Sequence, residues 1–404
     1  MPNTPRPSSP LAGYRVLDLT TFLSGPFCTQ ILGDLGADVV KVESPSGDSS
    51  RHIPPHFVGD DSAYFIANNR NKRSVAVNLK DADGLAFVRK LILNADVVVE
   101  NYRPGVLKRL GLDVEALRHE QPRLIWASIS GFGQDGSLRD RPAYDMIVQA
   151  MSGVMSLTGE PGRPAARLGI PAGDTVAGLY ATIAINAALA DRERTGQGRW
   201  IDVAMLDCQL AMLSYQSAYA LIGGVTPQRQ GAGHDSIPTY RSFMGGDGRE
   251  FVVTANTEKM WQGLCSVLGH AEWVADERFA DGKARHANRE ALWGLLEPAF
   301  KERTAAEWVD ALVEAGVPAA LIRSVPEALD GARTSGREMV QTLPNDHRDV
   351  EVVGNPIHFA GEEPIAPTAP PALGADATSV AHDWLGDDAD FNALPASEAI
   401  GGKA

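Results

Sequence analysis

The stretch Tyr14-Arg-Val-Leu-Asp-Leu-Thr-Thr-Phe-Leu-Ser-Gly-Pro-Phe-Cys-Thr-Gln-Ile-Leu-Gly-Asp-Leu-Gly-Ala-Asp-Val-Val-Lys-Val-Glu43 sets the fold class. Tyr14–Leu19 reads as a strand. Gly25-Pro26 opens a helix, with proline suited to a first turn, and Gly36 closes it. Ala37–Glu43 is a second strand. The pattern repeats outward: Ser74-Val-Ala-Val-Asn-Leu79 and Asp96-Val-Val-Val-Glu100 are strand candidates, separated by a helix over about 83–93 with apolar positions at helical spacing. Leu124-Ile-Trp-Ala-Ser-Ile-Ser130 is a fifth. Short β-rich runs alternating with helices predict an α/β protein: a doubly wound, mainly parallel, Rossmann-like sheet covered on both faces. The first strand-to-helix turn, Thr20–Pro26, lacks the GxGxxG spacing that seats a dinucleotide pyrophosphate. A P-loop lysine motif, HExxH and a Gly-x-Ser-x-Gly elbow are also absent from the sequence.

Further along, two long helices are expected at about 175–193 and 204–222, joined by Thr195-Gly-Gln-Gly198 and a short strand, Arg199–Val203. The composition then changes. Gly223-Gly224 and Gln230-Gly-Ala-Gly-His-Asp-Ser-Ile-Pro238 lead into a strand at Phe251–Thr254 and helices near 258–268, 287–300 and 305–315. We read 11–224 as the first part of a large domain, 225–325 as a smaller inserted α+β domain, and 326–404 as a return segment completing the large one. Proline-rich return segments seldom fold alone, and this one is expected to pack on the large domain or on a partner subunit, ending in a helix near 376–386.

With 404 residues, 44% of them hydrophobic and 22% charged, the chain has enough apolar material for a large core and more than one domain. Cys28, Cys208 and Cys265 are too few and too scattered for a disulfide framework or a zinc site, which points to a reducing cytoplasm and no metal. The polar, proline-rich start reads as neither secretion signal nor anchor, and no segment reaches membrane-span length. A net charge of -14 argues against nucleic acid or an anionic membrane as partner. A polyanionic ligand must therefore meet a local basic cluster. Arg70, Lys72, Arg73 and Lys80 form one candidate, Arg103, Lys108 and Arg109 a second, and Arg139 with Arg141 a third, all at ends of predicted strands.

One acidic residue stands apart. Asp174 closes Arg167-Leu-Gly-Ile-Pro-Ala-Gly-Asp-Thr175 and heads the nearly uncharged run Val176–Ala190. A helix apolar on every side is normally buried, so a carboxylate at its head meets something other than bulk water. As an N-cap it would contribute about 1 kcal/mol without any chemistry.

Read together, Val16-Leu-Asp-Leu with Gly25-Pro26, Leu35-Gly-Ala-Asp-Val-Val-Lys-Val-Glu43, Asn69-Arg-Asn-Lys-Arg-Ser-Val-Ala-Val-Asn-Leu79, Val99-Glu-Asn-Tyr-Arg-Pro-Gly105, Ser128-Ile-Ser-Gly-Phe-Gly-Gln134 and Gly173-Asp174 resemble the class III CoA-transferases. That family includes formyl-CoA transferase, and α-methylacyl-CoA racemases are relatives. The resemblance runs from about 11 to about 386. It implies that Asp174 is the nucleophile, passing through a mixed anhydride and an aspartyl-CoA thioester, with capping as a possible second role. It implies coenzyme A or acyl-CoA as a substrate, with no permanently bound cofactor, and an interlocked homodimer.

By position the resemblance places Leu79 and Lys80 near the adenine, Asn101, Tyr102 and Arg103 beside the pantetheine and phosphates, Arg109 on the phosphates, Arg141 as a further contact, and Met205 near the thiol end. Met205 reads equally well as core. Backbone amides near Gly231 and Gly233 are expected to face an oxyanion and to form a lid over it. Two departures from formyl-CoA transferase matter: Leu23 replaces a glutamine, and the four-glycine lid becomes Gly231-Ala-Gly-His-Asp235. Oxalate and formate specificity therefore does not carry over. The phrase Gly231–Pro238 looks like the subgroup acting on succinate and glutarate, with His234, alone or with Arg167, orienting a remote carboxylate; as a plainer alternative, His234 braces its loop.

The nearest rival function is the racemase, whose relatives use a histidine directly before an aspartate. Here that pair is Tyr144-Asp145, and a tyrosine of pKa about 10 is a poor base near neutrality. A non-catalytic acyl-CoA-binding protein is the rival of another class. The favoured reading is reversible CoA transfer from an acyl-CoA such as succinyl-CoA to a free dicarboxylate.

Overall fold

The computed structural model describes residues 9–362 and 365–386. They fall into two compact units: one takes the chain up to Val154, Arg167–Gly224 and the chain from Arg337, and the other takes Met155–Ala166 and Val225–Gly336. The boundaries drawn from sequence at 225 and 325 thus gain 155–166 and 326–336 on the side of the second unit.

The first unit is built on six parallel strands, β1 (Arg15–Leu19), β2 (Asp38–Glu43), β3 (Lys72–Ala76), β4 (Val97–Glu100), β5 (Ile125–Ser130) and β6 (Trp200–Ala204), in spatial order β3-β2-β1-β4-β5-β6. Its helices include α1 (Ser24–Asp34), α2 (Ala82–Leu93), α3 (Val106–Arg109), α4 (Asp145–Met151), α5 (Ala172–Thr195), α6 (Met205–Met212) and α7 (Ala377–Leu385). Successive side chains along a strand point to opposite faces. Leu17, Leu19, Val40, Val98 and Trp126 therefore meet α2 and α7, while Val16, Val39, Val97, Val99 and Ile125 meet α1 and α5. Both faces are buried, which explains why the strands read as uninterrupted apolar runs. Strand order reverses between β1 and β4, so the turns leaving these two strands, Thr20–Leu23 and Asn101–Gly105, lie where an open α/β sheet forms its crevice.

Three expectations are corrected. The third strand lies at Lys72–Ala76 rather than 74–79, because Lys72 is drawn into the interior by Asp18. The helix expected at 204–222 is two, α6 and Tyr215–Leu221, interrupted at Ser214, whose φ of 49° no helix accommodates. The long helix begins at Ala172, so Asp174 lies inside its first turn and is not its N-cap; Pro171 holds the cap position.

The second unit carries an antiparallel sheet of β7 (Tyr240–Met244), β8 (Glu250–Thr254) and β9 (Ala319–Leu321) in the order β9-β8-β7, with helices Glu258–Leu268, Arg289–Ala299 and Ala305–Glu314. Its core is aromatic. Phe300 lies 4.6 Å from Phe243 and 5.6 Å from Trp308, centroid to centroid, and all three are buried.

Candidate active site

The turn after β1 is held from three sides. Asp18, wholly buried at the end of β1, accepts the Thr20 N–H at 2.8 Å, the Thr29 hydroxyl at 2.6 Å and the Lys72 ammonium at 3.0 Å. Lys41 donates to the Thr20 carbonyl at 2.8 Å and pairs with Asp48 at 2.9 Å. Asp48 in turn accepts the Phe22 N–H at 3.2 Å. Burial alone would raise the Asp18 pKa, but Lys72 and Lys41 more than offset it and hold the carboxyl well below its usual range. Phe22 has a φ of 63°, a conformation costing on the order of 1–3 kcal/mol that persists only where the surroundings fix it.

Asn101 supplies the third side. It accepts the Thr21 N–H at 2.9 Å and donates to the Thr21 carbonyl at 2.8 Å and the Ser24 hydroxyl at 3.3 Å. A residue expected beside pantetheine thus ties β4 to the β1 turn, with its amide hydrogens committed. The Ser24 hydroxyl is near enough to the Asp174 carboxyl to favour its ionised form. The carboxyl is partly buried, and burial first, then the negative charge of Asp145, push its pKa up to about 7 against the effect of Ser24. Tyr64, on the short helix Ala63–Asn68, feels the same pair: burial and then Asp174 push its phenol to about 12. Asp145 lies at the first residue of α4 and accepts the Gly173 N–H at 2.7 Å. Met205 is buried, with its methyl 3.4 Å from the place of an added Gly173 Cβ, so it is both core and neighbour of the α5 start.

A cleft of about 240 Å³ opens at the ends of β4 and β5. Arg103, Gly105, Lys108, Gln134 and Arg139 line it above Glu100, Ser128 and Trp200. Arg109 and Arg139 both flank Gly105, their guanidinium nitrogens 3.4 and 3.7 Å from where a Cβ on it would stand. Arg109 and Arg139 therefore converge on one turn that follows Arg103, while neither Arg109 nor exposed Arg141 is among the residues lining the cleft. Lys108 is tied to Asp113 at 2.8 Å. Glu100 is buried beneath, accepting the Tyr102 N–H at 2.9 Å, and burial pushes its carboxyl up to about 7.

Three members of the first basic cluster are engaged in ion pairs within the fold. Arg70 pairs with Asp34, Lys72 with Asp18, and Arg73 with Asp38 and Asp383; Lys80 is exposed. Leu79 packs partly against the sheet core. Leu23 is buried just before α1, and Arg167 is exposed.

In the second unit the Gly231 N–H donates to Gly159 at 3.1 Å and the Gly233 N–H to Gln230 at 3.1 Å. Both amides are engaged within this unit. His234 stacks on Tyr240 with centroids 5.5 Å apart, and its Nδ1 accepts the Ser236 N–H at 3.1 Å. His234 and Tyr240, with Gly233, Glu160, Arg241 and Trp293, line a cleft of about 180 Å³ within this unit.

Sequence reasoning did not single out Ser24, Tyr64 or Glu100, and it ranked Arg141 above Arg139. The available signals were the polar residues flanking Gly25-Pro26 and the acid ending the Val97–Val99 run. Among the described residues no group of three or more His, Cys, Asp or Glu side chains is placed to hold a metal ion.

Against known proteins, residues 11–377 match the model of CoA-transferase family III. The chain is 41% identical over 369 residues to acetyl-CoA:oxalate CoA-transferase of Acetobacter aceti, covering 90% of this chain and 93% of that one. It is 38% identical over 369 residues to succinyl-CoA:glutarate CoA-transferase of Mus musculus, covering 90% and 84%. A crystal structure of a CAIB/BAIF family protein from Brucella suis superposes with a TM-score of 0.83 at 37% identity, covering 93% of this chain and 99% of that one.

Proposed function

The chain belongs to CoA-transferase family III, and from that premise we propose that it moves CoA reversibly between carboxylic acids with Asp174 as nucleophile. An Asp174 oxygen attacks the thioester carbonyl carbon, the C–S bond breaks, and CoA leaves as thiolate from a mixed anhydride. The thiolate then attacks the aspartyl carbonyl, expels the donor carboxylate and forms an aspartyl-CoA thioester. The acceptor carboxylate attacks that thioester and releases the thiolate again. Finally the thiolate takes the acceptor's acyl group from the second anhydride and returns the Asp174 carboxylate.

The observation carrying this reading is the Asp174 environment. An ordinary carboxylate of pKa about 3.9 is mismatched with a thiolate leaving group of about 8.5. Burial and Asp145 raise Asp174 to about 7, which makes it a more basic nucleophile that is still substantially ionised near neutrality. It lies near Ser24, which Asn101, in the same loop as Arg103, meets at 3.3 Å.

In this reading Arg103, Arg109 and Arg139 hold the phosphates of CoA as guanidinium forks, with Leu79, Lys80, Asn101, Tyr102 and Met205 along the rest of the carrier and Arg141 as an outer contact. Relatives named for succinyl-CoA:glutarate and acetyl-CoA:oxalate transfer both involve a dicarboxylate. That supports a dicarboxylate acceptor and succinyl-CoA as donor, with His234, alone or with Arg167, orienting the remote carboxylate, Leu23 shaping the acyl pocket, and the Gly231–Gly233 loop as lid. The second compact unit serves as the inserted small domain. Exposed Leu179, Tyr180 and Ile183 on α5 support a homodimer that covers them. Cytoplasmic location and operation without a permanent cofactor belong to the same reading. Among the described residues no helix is long and apolar enough to cross a membrane.

The test is to incubate the enzyme with succinyl-CoA, quench with hydroxylamine and map adducts by mass spectrometry, alongside a panel of acids scored for new acyl-CoA products. A hydroxamate at Asp174 is expected. Turnover with no adduct there, or with Asp174→Ala still active, overturns the mechanism.

A further inference from the structure

We propose that Asp145 is a positioning residue whose carboxylate caps the helix carrying Asp174 and so fixes that side chain over the Thr20–Ser24 turn, an inference that rests on Asp174 being the nucleophile. Helix α5 starts behind Pro171 with no side-chain cap of its own, leaving its first N–H groups in want of an acceptor. Asp145 reaches it from α4, 28 residues earlier in the chain, and accepts the Gly173 N–H at 2.7 Å through Oδ1. Its Oδ2 accepts the Gln149 amide at 2.8 Å. Gln149, wholly buried, accepts the Leu168 N–H at 2.9 Å, so one acid and one amide hold both ends of Leu168–Gly173, the run leading into Asp174.

The approach depends on Gly173 having no side chain. A Cβ there would stand 2.9 Å from Asp145 Oδ1 and 3.0 Å from Gln209 Nε2, inside van der Waals contact. The cap is also a charge. Asp145 acts on Asp174 from α4, the Ser24 hydroxyl on α1 favours its ionised form, and Tyr64 of the helix Ala63–Asn68 feels both carboxylates. On α6, Asp207 is exposed and bears instead on Cys208 and Asp202. Asp145 therefore does two separable things: it orders the start of α5, and it opposes ionisation of Asp174. The second follows from the first, because a carboxylate close enough to cap this helix is close enough to repel the next one in its first turn.

Two substitutions in the full-length protein separate the two effects. Asp145→Asn keeps an oxygen for the Gly173 N–H while removing the charge and the acceptor for Gln149; Asp145→Ala removes the cap as well. The readouts are the pH profile of kcat/KM for CoA transfer from succinyl-CoA, and the titration of the Asp174 carboxyl by ¹³C NMR of aspartate-labelled protein, assigned by difference from Asp174→Asn. Asp145→Asn is expected to move the acidic limb and the carboxyl titration together to lower pH by about one pH unit, with kcat changed less than about 10-fold. Asp145→Ala is expected to lose about 100-fold in kcat, the scale of a misplacement near 1 Å. Equal losses in both variants, with limb and titration unmoved, would make Asp145 a cap of the fold only and overturn the proposal. A titration that moves while the limb stays fixed would overturn the reading of Asp174 as nucleophile, and the positioning role with it.

Discussion

Gly178 lies against the carbonyl of Ser24: a Cβ on Gly178 would stand 2.7 Å from that oxygen and 3.0 Å from the Phe27 ring. Helix α5 thus meets α1 almost backbone to backbone, about one turn after Asp174, and this contact sets Ser24 near the Asp174 carboxyl.

Gly178→Ala tests the contact through the sign of its effect. In an exposed helix the change would stabilise by about 1 kcal/mol, because alanine is the better helix former. Overpacking at 2.7 Å should instead cost about 1–3 kcal/mol and separate the helices. Denaturant unfolding should show a net loss, and kcat should fall more than KM for the acyl-CoA changes. A more stable variant would mean the helices are not in contact.

Asp174 should also be visible in stability. Its folded pKa of about 7 lies above an unfolded value of about 3.9. Its favourable contribution is therefore fully present below pH 4 and is lost as pH rises through 7, where the folded state must bear a poorly solvated charge. Asp174→Asn, which mimics the neutral acid, should unfold at a higher temperature than the native protein at pH 8, by an amount equivalent to about 1–4 kcal/mol. At pH 4 the two should coincide. A difference that stays flat across this range would place the carboxyl in water.

The buried Asp18–Lys72 pair, 3.0 Å apart with neither side chain exposed, should be far more sensitive to loss of one partner than an exposed pair. Burial pulls the Lys72 ammonium down to about 8, against the attraction of Asp18. Lys72→Met or Asp18→Asn should each cost about 3–5 kcal/mol, since each strands a desolvated charge or its hydrogen bonds. The double variant should cost clearly less than the sum, as a double-mutant cycle in urea would show. Because the Asp18 carboxyl is held below its usual range, its stabilisation is present above the unfolded pKa near 3.9 and disappears as pH falls through the lower folded value; Asp18→Asn should therefore flatten the acid side of the stability curve.

What the sequence disclosed follows from how local each feature is. The strands were legible because a sheet buried on both faces leaves runs such as Val97–Val99, and the loop Asn101–Gly105 follows directly from one of them. Lys72 hid the true start of β3, since its partner Asp18 lies 54 residues away and a charged residue reads as surface. Asp174 read as a cap because capping is usually local, whereas the acceptor here comes from Asp145 on another helix. The break at Ser214 carries no Gly or Pro to announce it. Arg70 and Arg73 read as ligand-binding cations because their acidic partners, Asp34 and Asp38, are supplied by the fold.

The return segment is fastened to the sheet through Trp384. Trp384 on α7 is buried, donates its indole N–H to Asp38 at 2.7 Å and lies under the Arg15 guanidinium at 5.6 Å. Asp38 also pairs with Arg73, which reaches Asp383 at 2.8 Å, so β1, β2, β3 and α7 meet in one network. With Val380 and Ala381 the indole closes the sheet face opposite α1 and α5. Trp384→Ala should therefore cost about 3–5 kcal/mol, the range for removing a buried aromatic side chain. Trp384→Phe keeps most of the apolar contact and leaves Asp38 paired with Arg73, so it should cost about 1–2 kcal/mol, the scale of a lost hydrogen bond to a charged group. Chemical denaturation of the two variants checks the order. Equal and small losses would show α7 to be a passive cover, and the sheet stable without it.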